Sequence, residues 1–143
     1  MTDLEIAKNH LNGHSICLCH DGSIVTDDGR GISPMMRFLA EGKELTDYSA
    51  ADLIVGKATA MLFVKAGIRA VYGKVMSKSA KEFLKAHGII CEYETLTEQI
   101  INRARTDICP MEKTVSDMEN PEEAYQALCA RIVQIKQNPE KSI

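Results

Sequence analysis

The apolar positions change their period several times along the chain, and each change marks an element. Leu4, Ala7 and Leu11 recur at helical spacing behind the capping box Thr2-Asp3-Leu4-Glu5, and Asn12-Gly13 ends the run. Ser15 to His20 reads as a strand, Asp21-Gly22 as a tight hairpin turn, and Ile24-Val25-Thr26 as the returning strand. Ser33-Pro34 predicts a second helix to Gly42, with the serine as cap and the proline in the first turn. Glu44 to Ala50 reads as polar connection. Asp52-Leu53-Ile54-Val55 is then a short strand that turns at Gly56 into a helix whose only charges before Gly67 are Lys57 and Lys65. A helix with so little polar surface is expected to be buried nearly all round.

A unit then repeats. Ala66-Gly67-Ile68 closes one helix and opens a strand from Arg69 to Val75; His87-Gly88-Ile89 does the same before a strand from Ile90 to Glu94. Between them Ser79-x-x-Glu82 reads as the cap of a helix whose Ala80, Phe83, Leu84 and His87 share a face. Strands joined by helices of this length are expected to be parallel, with right-handed crossovers. The first hairpin makes the sheet mixed. Thr97 to Asn102 predicts a short helix, Cys109-Pro110-Met111-Glu112 starts another, and Asn120-Pro121-Glu122-Glu123 caps the last, with Ala124, Leu128, Ile132 and Ile135 facing inward. Residues 1–137 read as a single domain, and the tail from Asn138 is expected to fray.

Composition narrows the function classes. The 143 residues suit one domain, and a net charge of −3 offers neither a basic face for nucleic acid nor a polybasic membrane patch. No apolar run approaches a membrane span, and Asp3 and Glu5 stand where a signal peptide would be basic. Five cysteines, odd in number and unevenly spread, do not form a secreted disulfide framework, so a reduced, cytoplasmic setting is expected.

Three stretches are candidates for chemistry. Cys17-Leu18-Cys19-His20 resembles a metal cluster, but alternation along a strand puts Cys17 and Cys19 on one face and Leu18 and His20 on the other. No second pair lies at zinc-site spacing, and the expectation is buried structural cysteine. Val55-Gly56-Lys57-Ala58-Thr59 lacks the upstream glycine and the hydroxyl residue of a phosphate loop. An anion site at the helix start survives, because it needs only free backbone N–H groups and Lys57. The competing reading pairs Lys57 with a structural carboxylate, Asp52 or Glu112. Cys109, as cap of a helix that opens with Pro110, feels the positive helix end that favours thiolate, or it simply fills a buried turn. Asn102, Arg103 and Arg105 just upstream add cationic character or face solvent.

The chain resembles a family of small bacterial proteins, DUF1893, a domain of unknown function. The resemblance rests on Asp52-Leu53-Ile54-Val55-Gly56-Lys57-Ala58, Val75-Met76-Ser77, Ile101-Asn102-Arg103 and Cys109-Pro110-Met111-Glu112, and runs from the first helix to about Ser116. It implies a cytidine deaminase-like fold, a three-layer α/β/α sandwich with a mixed central sheet. Zinc deaminases carry a His or Cys followed by Ala-Glu at the helix after the third strand, and Pro-Cys-x-x-Cys after the next strand. The matching positions here are Gly56-Lys57-Ala58 and Met76 to Ala80, so the metal ligands and the catalytic glutamate are missing. The resemblance therefore implies no zinc-bound hydroxide, no metal and no cofactor.

The leading expectation is a cytoplasmic protein that binds a small anionic or nucleotide-like molecule at the carboxyl edge of the sheet. Lys57, Cys109 and Glu112 are the candidates for catalysis; Asp52, Gly56, Ser77, Ser79, Asn102 and Arg103 are the candidates for binding. The alternative is a non-catalytic interaction or regulatory subunit. Neither involves nucleic acid or membrane, and both leave room for a homo-oligomer.

Overall fold

The computed structural model describes residues 1–101 and 107–137. The described elements are α1 (Asp3–His10), β1 (Ile16–His20), β2 (Ser23–Asp27), α2 (Ser33–Ala40), β3 (Ser49–Val55), α3 (Lys57–Ala66), β4 (Ala70–Ser77), α4 (Lys78–Ala86), β5 (Ile90–Thr97), α5 (Pro110–Val115) and α6 (Pro121–Gln137). The five strands form one sheet in the order β2-β1-β3-β4-β5. β1 is antiparallel to β2 and β3, whereas β3, β4 and β5 run parallel, as the repeated helix-glycine-strand unit predicts. No described helix is long and apolar enough to cross a membrane.

Alternation along β1 divides the core. Cys17 and Cys19 pack with Ala7 and Leu11 of α1 and with Ala51. Ile16 and Leu18 join the larger cluster, which takes side chains from α2, α3, α4 and α6. α1 thus covers one face and the remaining core helices the other. In α3, Lys57 through Phe63 are all buried, in line with its scarcity of polar residues.

Several boundaries depart from the sequence reading. Ser49 and Ala50 belong to β3, not to a polar connection, because β1 pairs along them and small side chains fit between two packed faces. Ser33 does not cap α2; its Oγ donates to the Arg30 carbonyl, and Ile32 occupies the cap position. The cap of α4 is Ser77, whose Oγ accepts from the Ala80 N–H at 3.2 Å, so the helix starts earlier than a cap at Ser79 implies. Thr97 is the last residue of β5 and Ile101 bridges to Ile108, which rules out a helix over Thr97–Ile101. Asn102 and the tail from Asn138 lie outside the described residues.

The parallel strands share an interruption near their carboxyl ends. Pairing runs Asp52–Gly73–Tyr93, skips Leu53, Lys74 and Glu94, and resumes at Ile54–Val75–Thr95. Ala50 and Val55 both reach the larger core, as do Val71 and Met76, although strict alternation would put residues five apart on opposite faces. The Asp52 carboxylate accepts the Ile54 N–H at 3.3 Å within this interruption, an Asx-type bond that competes with the ladder.

The hairpin between β1 and β2 turns on two left-handed residues, Asp21 with φ 45° and Gly22 with φ 83°. That is the twist a two-residue connection requires. Nothing lies within 4 Å of where a Cβ on Gly22 would stand, so a substitution there meets only the conformational penalty. Gly22→Ala is expected to cost about 1 kcal/mol in urea unfolding.

Candidate functional site

β3 and β4 are adjacent and parallel, so α3 and α4 begin side by side at the carboxyl edge of the sheet. Gly56 caps α3 with extended backbone and no side chain, leaving the first helical N–H groups to be satisfied from elsewhere. Glu112, on α5, satisfies them. Its carboxylate accepts from Lys57 N at 2.7 Å and from Ala58 N at 2.9 Å. A carboxylate against a positive helix end is the favoured sign, and here it belongs to the chain itself.

Lys57 is 8% exposed, and its ammonium takes partners other than that carboxylate. Nζ donates to the Ser116 carbonyl at 3.1 Å and to Glu119 Oε1 at 3.4 Å. Ser116 is the cap at the far end of α5, where a cation is favoured. Each helix therefore caps the other, Glu112 at the start of α3 and Lys57 at the end of α5. Burial pushes the Glu112 carboxyl above its ordinary range, with the two N–H bonds and the Lys57 charge pulling it back.

The remaining candidates do not converge on this corner as a single pocket. Ser77 Oγ is taken up by the cap of α4 and lies 3.2 Å from Ser79 Oγ. Cys109 is the N-cap of α5, but its thiol makes no bond to the helix N–H groups; its own N–H donates to Ile100. Asp52 is 7% exposed on β3 and is not the partner of the Lys57 ammonium. Asn102 and Arg103 lie outside the described residues. Ser116 and Glu119 were not among the sequence candidates; one contributes only a backbone carbonyl, and the other is one acidic residue in a polar connection.

Two open grooves lie elsewhere. One, of about 630 Å³, is lined by Lys8, Leu11, His14, Leu53, Tyr72 and Lys74 on the α1 face. The other, of about 420 Å³, runs between α5 and α6 past Lys113 and Arg131. Neither includes Lys57, Glu112 or Ser77.

A Cβ at Gly56 would stand 2.5 Å from the Glu112 carboxylate, although the backbone there suits any residue. Gly56→Ala should therefore act by evicting Glu112, leaving two buried donors unsatisfied at a cost of about 2–4 kcal/mol. In a Glu112→Ala background the same change should be nearly neutral, and a double-mutant cycle by urea unfolding measures that coupling.

Burial raises the Asp52 carboxyl from 3.8 to about 8, against two backbone N–H bonds. The native state then holds a proton that the unfolded chain releases, so the contribution is complete below about pH 4 and lost as pH rises through about 8. The slope approaches about 1.4 kcal/mol per pH unit. Asp52→Asn keeps an acceptor for Ile54 N and should flatten the loss of stability between about pH 4 and 8; an unchanged pH profile would show that Asp52 is ionised in the fold.

No curated protein matches the chain. Its fold is similar to that in the crystal structure, at 2.70 Å resolution, of a DUF1893 family protein (TM1506) from Thermotoga maritima. The two are 22% identical, with a TM-score of 0.81 over 92% of this chain and 91% of that one. At that identity the likeness speaks for the fold alone. The family model for the domain of unknown function DUF1893 matches residues 6–132, and the chain belongs to that family.

Proposed function

We propose that the chain retains a cytidine deaminase-like arrangement without its zinc chemistry and works as a non-catalytic binding or regulatory protein. Gly56-Lys57-Ala58 and Met76 to Ala80 stand where the resemblance would place the metal ligands. The observation that supports this reading is the mutual satisfaction of polar groups at the carboxyl edge. Glu112 takes the α3 N–H groups, Lys57 takes the end of α5, and Ser77 takes the start of α4. An active site turns such groups toward a substrate, whereas here the chain turns them on itself. Surface for a partner remains at the β5 edge, where Ile90 and Tyr93 are exposed. An antiparallel β5 pair centred on Tyr93 would set Glu92 against Glu94 of a second copy, which disfavours self-pairing there.

One observation favours the second reading, a small anionic or nucleotide-like ligand. The α3 start holds a carboxylate with two N–H donors, which is the chemistry of anion recognition. Such a ligand would have to displace Glu112.

Thermal unfolding of the wild type, Lys57→Met and Glu112→Ala in rising phosphate, sulfate and mononucleotide separates the two. Under the first reading both variants lose stability, about 1–3 kcal/mol for Lys57→Met, and the wild type gains nothing from the anions. A wild type stabilised by mass action, with the gain lost in Lys57→Met, would overturn it in favour of the ligand.

A further inference from the structure

The sheet has two edge strands, and they differ in how they meet a copy of themselves. β5 carries Glu92 and Glu94 on one face, so an antiparallel pair of β5 strands centred on Glu92, Tyr93 or Glu94 sets glutamate against glutamate. β2, at the other edge, reads Ser23-Ile24-Val25-Thr26-Asp27. It has no lysine, no proline and no bulge, the devices that keep an edge from pairing, and its register against β1 is unbroken. Its three central residues are β-branched, the type that favours strand.

The hairpin fixes which backbone groups face outward. Its two-residue turn makes His20 and Ser23 a hydrogen-bonded pair, so Val25, two residues on, also directs its N–H and C=O toward β1. Ile24 and Thr26 direct theirs off the sheet, where no further strand lies among the described residues. Two donors and two acceptors are thus presented symmetrically about Val25.

The side chains at this edge are open as well. Ile24 and Thr26 lie opposite Cys19 and Cys17 of β1, on the face that α1 covers. α1 packs on β1, β3 and β4, and at its margin Ile24 is 41% exposed and Thr26 is exposed. Val25, on the other face, packs against the larger core.

We propose that β2 is a dimer interface, in which two copies of the chain pair their β2 strands antiparallel about a twofold axis at Val25 and join their sheets into one. Ile24 of each copy then exchanges both backbone hydrogen bonds with Thr26 of the other, which uses all the outward groups of those two residues. Ile24 meets Thr26, Val25 meets Val25, and Ser23 meets Asp27, whose carboxylate is already paired with Arg37 of its own chain. No like charges oppose one another. The contact is the same patch on both copies and therefore closes, whereas β2 pairing with β5 of another copy would run on as an open filament. Two five-residue strands form a small interface, so the dimer is a weak one.

Sedimentation equilibrium of the whole chain should show dimer growing in between about 10 µM and about 1 mM. Ile24→Lys with Thr26→Lys sets lysine against lysine at both pairs and should raise the dissociation constant at least about tenfold. Ile24→Glu with Thr26→Glu should do the same, and an equimolar mixture of the two double variants, now lysine against glutamate, should recover dimer. Both positions are exposed, so each variant should melt close to the wild type. Glu94→Lys, on β5, should leave the dimer unchanged. A wild type that stays monomeric at about 1 mM overturns the interface without any variant. A dimer that the lysine pair leaves intact, or variants that remain monomeric on mixing, overturns it too.

Discussion

The structure depends on a buried helix start finding a negative partner. The first seven residues of α3 are buried, so water has little access to their leading N–H groups. A lysine in the first helical position makes the electrostatics worse, since it adds a cation to a positive end. Glu112 answers both problems at once by accepting two N–H bonds, while the Lys57 ammonium extends to the negative end of α5. α5, with six residues, is too short to be stable alone, and this exchange fixes it against the sheet edge. Gly56 is the steric condition for the arrangement, because a side chain there would occupy the carboxylate's place.

The layout of the fold was legible because it rests on local signals. Asp21-Gly22 specifies a hairpin, and two helix-glycine-strand junctions specify parallel crossovers. What the sequence obscured is set by tertiary pairing. Ser49-Ala50-Ala51 has weak strand propensity and becomes strand because β1 and β4 flank it. Ser77 and Ser79 are both plausible caps, and only the length of β4 selects Ser77. Thr97 is drawn into β5 by pairing with Ser77, which removes the residue meant to open a helix.

The candidate corner was half legible. The sequence offers Lys57 and Glu112 as partners, and the structure brings their residues into contact, though through the lysine's backbone N–H and not its ammonium. Composition cannot distinguish those arrangements, because both put a carboxylate near a cation. Ser116 offers no signal at all, since any residue would present the same carbonyl. Asp52 was a reasonable partner for a nearby lysine, yet its carboxylate turns to Ile54 N where the parallel ladders break. A polar side chain that bonds its own backbone two residues on is common at such breaks.

In an open α/β sheet the carboxyl edge is where ligands meet helix starts, because the N–H groups there lack intrahelical partners. A chain that supplies its own carboxylate removes this feature during folding. The same two N–H groups cannot hold Glu112 and stabilise a substrate's developing charge at one time. Any reaction cycle at α3 would therefore require Glu112, and with it α5, to leave and return. Lys57 resists that motion from the other end, since releasing α5 would also strip its ammonium of the Ser116 carbonyl. The mutual capping thus opposes both halves of such a movement, and it makes the corner a fastening between helices before it can be anything else.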